Sequence, residues 1–131
     1  MSQPAQIILD TTVLIDALRN RNQRRAFLNG LVASGLELVG STVTMAEVYG
    51  GLRPGEEQAT QAFLSGLDWL PVSAAIAERA GNMKAALRRQ GHTRSITDMI
   101  IAATALEAGA PVATDNRKDF QLPGLTLVAL T

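Results

Sequence analysis

The chain has no cysteine. That removes disulfides, thiolate zinc sites and thiol nucleophiles together. It has a single histidine, so no paired imidazoles are available to a soft or borderline metal. Aromatic residues make up only 4%, and the core must therefore be aliphatic. There is no excess of charge: twelve Lys and Arg balance twelve Asp and Glu. No global field draws the chain to nucleic acid, and any such binding must be local. No apolar run approaches the ~18–20 residues that span a bilayer. The N-terminus lacks a basic region followed by an apolar signal core. These absences favour a cytoplasmic protein with no membrane attachment. Repeats, low-complexity segments and linkers are also missing. A length of 131 residues with 47% hydrophobic content suits one domain over residues 1–131, with a core that needs no staples.

What is present begins with Ile7-Ile8-Leu9-Asp10-Thr11-Thr12. An apolar run without alternation reads as a buried strand, Gln6 to Leu9. Thr11 or Thr12 caps a helix to about Asn20. A second helix runs from Gln23 to about Ala33, with Ala26, Phe27, Leu31 and Val32 inward and Gly35 as its stop. Leu36 to Val39 is a second strand, and a helix follows from Thr42. Glu56 to Leu67 is helical, with Ala59, Ala62, Phe63 and Leu67 inward. Trp69 to Val72 is a third strand, which Pro71 places at an edge or a strand end. Ser73 caps a helix to about Gln90. After the loop Gly91 to Arg94, a strongly apolar helix runs to Ala108. Pro111 to Thr114 and Leu125 to Leu130 are the last strands. Strands alternating with crossover-length helical links predict an α/β fold, a parallel five-stranded sheet covered on both faces.

Four acids stand at element boundaries. Asp10 ends the first strand, Glu47 lies early in the helix after the second, Asp98 opens the apolar helix, and Asp115 follows the fourth strand. Strand C-termini and the following helix N-termini share one edge of a parallel sheet, so Asp10, Glu47 and Asp115 are neighbours by topology. Each acid also has a plain structural reading. Thr44-x-x-Glu47 and Ser95-x-x-Asp98 resemble capping boxes, and Asp115-Asn116 suits a turn. A cap is worth ~1 kcal/mol. Two carboxylates ~4 Å apart repel by ~4 kcal/mol at an effective dielectric of about 20, so a true cluster needs protons or a cation. With oxygen donors only, Mg²⁺ or Mn²⁺ is favoured over Zn²⁺. Such an ion suits attack on a phosphodiester.

Four segments in order resemble the PIN domain, and within it the VapC-type toxins of toxin–antitoxin pairs. They are Asp10 to Asp16, Ser41-x-x-Thr44-x-x-Glu47, Ser95-x-x-Asp98-x-x-Ile101-Ala102-Ala103-Thr104-Ala105, and Ala113-Thr114-Asp115-Asn116-x-x-Asp119-Phe120. The likeness spans about residues 5 to 130. It implies a PIN-like α/β/α sandwich and a Mg²⁺-dependent endoribonuclease toxin that inhibits translation. It also implies a protein antitoxin, an RNA substrate and frequent homodimers. By motif position, Asp10, Glu47 and Asp98 are the metal-holding acids. The family's fourth position falls on Asn116, with Asp115 and Asp119 as further candidates, which leaves a second ion unsupported. Thr11 and Thr114 are placed to hydrogen-bond the carboxylates. Thr12 varies mildly from the usual Asn or Ser.

Other polar features read more plainly. His92 is a loop residue beside Arg88, Arg89 and Arg94. That loop, the stretch from Arg19 to Arg25, and Arg117-Lys118 are local basic patches able to touch phosphates. Asp16 is placed to pair with Arg19. Trp69 and Tyr49 suit packing or an interface. A haloacid-dehalogenase-type phosphatase needs a second acid where Thr12 stands, and a receiver domain needs paired acids and a late Lys that are missing. The remaining alternative is a catalytically weak PIN-like module that acts through protein contacts.

Overall fold

The first strand lies at the centre of the sheet. In the computed structural model, which describes residues 5–130, β1 (Gln6–Leu9) pairs in parallel with β2 (Glu37–Ser41) on one side and β4 (Val112–Ala113) on the other. β3 (Asp68–Leu70) and β5 (Leu127–Val128) close the two edges, giving the order β3-β2-β1-β4-β5 with every pairing parallel. The edge place of β3 is the one Pro71 predicts. The chain moves outward from β1 to β2 and β3, then crosses back to β4. The crossovers therefore diverge at the carboxyl end of β1, the kind of point where open α/β sheets bind ligands.

Both faces of β1 are covered, which is why its sequence does not alternate. Ile8 packs with Val39, Val112 and Phe120 against Ile101, Ala102 and Ala105 of α6 (Ile96–Ala108). Ile7 and Leu9 face the other way. They meet Val13, Leu14 and Ala17 of α1 (Thr11–Leu18) and Leu28 of α2 (Arg24–Ala33). Each fully buried aliphatic side chain contributes about 1.5–3 kcal/mol of transfer free energy. Outside α6 lies α5 (Ala74–Arg89), joined to it through Ile76, Ala80, Met99 and Ala103. The small Ala102, Ala103 and Ala105 let α6 sit between sheet and α5 and be buried on nearly all sides.

Several local expectations change. Asp10 itself, not a threonine, caps α1: its side chain accepts from the backbone N–H of Thr11. Asn20, Asn22 and Gln23 adopt φ of 54°, 53° and 55°, so the chain reverses left-handedly and α2 starts one residue later than its pattern suggests. On α2, Ala26 and Val32 are exposed, while Leu28 is the buried anchor. On α4 (Glu57–Leu64), Ala59 and Ala62 are exposed, and Thr60 and Leu64 are buried. In both stretches the larger residues of the stripe read in the sequence, Phe27, Leu31, Phe63 and Leu67, do pack against the core, with Leu28 and Leu64 buried beside them. Small alanines carry little weight in setting that stripe. β4 and β5 keep only the middle of their apolar runs, and an unforeseen 3-10 turn, Arg117–Phe120, follows β4. Gly40 is required by packing: a Cβ there would lie 2.5 Å from Cζ3 of Trp69, whose ring covers the strand. Trp69 is thus a packing residue, with its indole N–H donating to the Leu64 carbonyl at 3.0 Å. Tyr49 remains exposed.

Candidate metal centre at the carboxyl edge of the sheet

Asp10 ends β1 in extended geometry (φ −68°, ψ 151°). Pleat alternation gives it the parity of Ile8, toward the α6 side of the sheet. It is only 4% exposed, and both carboxylate oxygens are held. Oδ1 accepts from the Thr11 backbone N–H at 2.8 Å, and Oδ2 accepts from the Thr114 hydroxyl at 2.7 Å. Thr114 follows β4, the neighbouring strand. Its hydroxyl also accepts from the Asn116 backbone N–H at 2.9 Å, so one oxygen fixes both Asp10 and the turn beyond β4. Burial pushes the Asp10 carboxyl up to about 6, with the Thr114 bond opposing and the nearby Asp98 and Glu47 charges adding to the rise.

Glu47 comes from α3 (Thr42–Gly50). The cap of that helix is Ser41, whose hydroxyl accepts from the Val43 N–H at 3.2 Å. Thr44 is therefore not a capping residue, and the capping-box reading of Glu47 fails. Thr44 is fully buried. Its hydroxyl lies 3.0 Å from that of Thr11, which donates to Glu47 Oε1 at 2.6 Å. Asp98 lies in the first turn of α6, capped by Ser95, whose hydroxyl accepts from the Asp98 N–H at 3.0 Å. Here the capping role is real. The Asp98 carboxyl is nonetheless pushed up by burial and by the charges of Asp119 and Glu47, with Ser95 and Arg94 opposing.

The fourth corner is built differently. The Asn116 amide donates to Asp119 Oδ2 at 2.7 Å. Asp119 Oδ1 lies 3.7 Å from Arg94 Nε. Asp115 is drawn off by Arg24, a buried cation on α2 that donates to Asp115 Oδ1 at 2.7 Å. Asp16 does not pair with Arg19. It accepts from the Asn22 amide at 2.9 Å, and Arg19 instead meets Glu56 at 3.4 Å. His92 is exposed in its loop. Two contributors escaped the sequence reading. Thr44 was masked by its resemblance to a cap, and Arg94 was one arginine among several until the fold set it beside Asp98 and Asp119.

Among the described residues, no three acidic or imidazole side chains already converge tightly enough to hold an ion. Glu47 is turned to Thr11 and Asp119 to Asn116. The donor set nonetheless fits a hard divalent cation: all oxygen donors, with neighbouring carboxylates raising the proton affinity of Asp10 and Asp98, on an edge where buried Asp10 has no cationic partner. Bringing in a cation relieves that repulsion.

The PIN domain family matches residues 7–123, and the chain belongs to that family. Ribonuclease VapC19 of Mycobacterium tuberculosis is 30% identical over 115 residues, covering 88% of this chain and 92% of that one. The tRNA(fMet)-specific endonuclease VapC of Shigella flexneri is 29% identical over 126 residues, covering 91% and 92%. Among solved structures, VapBC2 from Rickettsia felis, bound to a DNA fragment from its promoter, superposes with a TM-score of 0.79 at 26% identity over 94% of this chain and 97% of that one. Within the PIN family the chain sits with the VapC-type ribonucleases, enzymes that cleave RNA.

Proposed function

We propose that this single PIN domain is a Mg²⁺-dependent endoribonuclease toxin, held inactive by a protein antitoxin. The observation that carries this reading is Asp10: a buried carboxylate with both oxygens oriented by Thr11 and Thr114, and with Glu47 and Asp98 close enough to raise its proton affinity. The similarity to VapC19 and to the Shigella endonuclease supports RNA as substrate. The similarity to a VapBC pair supports an antitoxin partner. A homodimer belongs to the same proposal, and sedimentation of the purified chain checks it.

Asp10, Asp98 and Glu47 would hold the ion. Asn116 and Asp119 are the outer candidates, whereas Asp115 is committed to Arg24. The bound ion supplies charge neutralisation at the phosphodiester and acidifies the attacking water. The chain's own groups prepare the place. Thr11 and Thr114 orient carboxylates through neutral hydroxyls, so full negative charge remains for a cation. Burial of Asp10 keeps competing water away.

Replacing Asp98 with Asn tests the reading. The variant should melt normally and lose cleavage of total RNA by more than about 100-fold, beyond the roughly 10–100-fold typical of losing a group that only orients a ligand. Wild-type cleavage should vanish with chelator and return with Mg²⁺. Retained cleavage in Asp98→Asn would sink the assignment. The open arrangement of Glu47 and Asp119 favours a second reading, a weakly active module that works by protein contacts. A chain that neither cleaves RNA nor gains thermal stability across a Mg²⁺ titration would establish that reading.

A further inference from the structure

We infer that Arg94 receives a phosphate oxygen of the RNA at the acidic edge. This rests on the ribonuclease reading above and adds a substrate-binding residue to it. The need is electrostatic. With twelve positive and twelve negative residues, the chain has no net attraction for RNA, and its candidate site gathers carboxylates. Beside the ion that Asp10, Asp98 and Glu47 would hold, a fixed cation of the chain's own at that edge helps a polyanion approach.

Arg94 lies in the loop between α5 and α6, one residue before the Ser95 cap and one helical turn before Asp98. Its charge is felt by Asp98. Its guanidinium bridges the two loops flanking the site: Nη1 donates to the Thr93 carbonyl at 3.1 Å, and Nη2 reaches the Lys118 carbonyl at 3.5 Å. The Lys84 ammonium donates to the Arg94 carbonyl and anchors the backbone. The head group is thereby fixed between α6 and the 3-10 turn.

It is fixed without being fully paired. Asp119 Oδ1 is 3.7 Å from Nε, within range of an ion pair but beyond a hydrogen bond. Nε is buried and has no acceptor. Arginine has five N–H donors and cannot shed its charge, and only two of these donors reach carbonyls. Arg24 also has an unpaired Nε, but its head group makes a 2.7 Å ion pair with Asp115. Arg79 is matched to Glu107 at 2.8 Å. Arg94 is the loosely paired guanidinium beside the acids. Of the three remaining N–H groups Nε–H is buried, and the other two, on Nη1 and Nη2, suit the oxygens of a phosphodiester, which arginine takes in a charge-assisted fork.

The test uses a labelled single-stranded RNA of mixed sequence and the Asp98→Asn chain, so that binding is read without cleavage. Adding Arg94→Ala should weaken binding and lower the slope of log affinity against log salt by about 1, the signature of one lost phosphate contact. In the otherwise native enzyme, Arg94→Ala should lower kcat/KM about 100-fold, the scale of removing one donor to a reacting oxyanion. The Mg²⁺-induced rise in Tm should persist, because Arg94 does not hold the ion. Arg79→Ala, an exposed arginine away from the site, should change neither readout. Arg94→Gln keeps a donor for the loop carbonyls but no charge, and it decides by the same slope if the Ala variant does not fold. A native salt slope in the Gln variant overturns the inference, and so does a native kcat/KM. If Asp98→Asn still cleaves, the ribonuclease site itself is wrong. If Asp98→Asn is silent and the Arg94 variants behave as wild type, only the role of Arg94 falls.

Discussion

On the β1 side of the acidic edge the carboxylates are held by hydroxyls and a backbone N–H. On the side of the 3-10 turn they are held by an amide and a guanidinium. Asp10 and Glu47 are bound to Thr114 and Thr11 at 2.7 and 2.6 Å, whereas Asp119 faces Asn116 and Arg94. The difference is one of charge. A hydroxyl orients a carboxylate and leaves its full charge for a cation. An arginine cancels much of that charge. The first wall is therefore suited to hold a metal ion, and the second to meet the polyanion that arrives with it.

The comparison breaks most sharply at Asp10. Its carboxyl rises from 3.8 to about 6 on folding, so between those values the folded chain binds more protons than the unfolded one. Stability of the metal-free protein should therefore fall as pH climbs through this window, and stay low above it. Asp10→Asn removes the Asp10 share of that dependence and leaves the share from Asp98, whose carboxyl is also raised. At neutral pH and without metal, it should be more stable than wild type by roughly 3 kcal/mol, which is about 1.4 kcal/mol per tenfold change in proton affinity. It should also lose RNA cleavage and the Tm rise with Mg²⁺. Melting curves across pH, with and without Mg²⁺, read all three. A destabilised Asp10→Asn chain would mean that the carboxylate is held for its bonds rather than at the expense of them.

A smaller effect is expected at Thr114. Thr114→Val keeps the shape but leaves one Asp10 oxygen and the Asn116 N–H unpartnered. Mg²⁺ affinity or kcat should fall 10–100-fold, as for other groups that orient a metal ligand. A Mg²⁺ titration of cleavage rate measures it, and an unchanged midpoint and maximum would show that the hydroxyl does not matter to the site.

Cleavage should change least at Asp115. Its ion pair with Arg24 is part-exposed on the acid side, 40% against 10%. Asp115→Ala leaves the buried Arg24 charge unpaired and should cost roughly 3 kcal/mol of stability, while cleavage stays within about twofold of wild type. Urea melts and rates check it together. A large drop in rate would move Asp115 into the metal site and erase the contrast between the walls.

The sequence already carried the features that physics makes local. The non-alternating β1 run, the long links between strands and the apolar α6 announced a parallel sheet with two covered faces. Topology put Asp10, Glu47 and Asp115 on one edge, and only the motif added Asp98. What could not be read depended on side chains meeting across the fold. The bonds of Thr114 to Asp10 and Thr11 to Glu47, and the diversion of Asp115 to Arg24, join residues distant in the chain. Around α2 and α4 the large residues read as inward, Phe27, Leu31, Phe63 and Leu67, do pack on the core, whereas Val32 is exposed, and so are Ala26, Ala59 and Ala62, because alanines signal burial weakly. Arg94 had the same standing as its neighbours until the 3-10 turn was brought beside it.

The hydrogen bond that fixes Asp10 joins residues 104 positions apart. During synthesis, β1 emerges well before β4, one of its two neighbours in the sheet, and waits for it while about a hundred further residues are made. Any product that stops before Thr114 therefore lacks the hydroxyl that aims the first carboxylate. The site's first carboxylate is thus aimed only once the fourth strand has been made and docked.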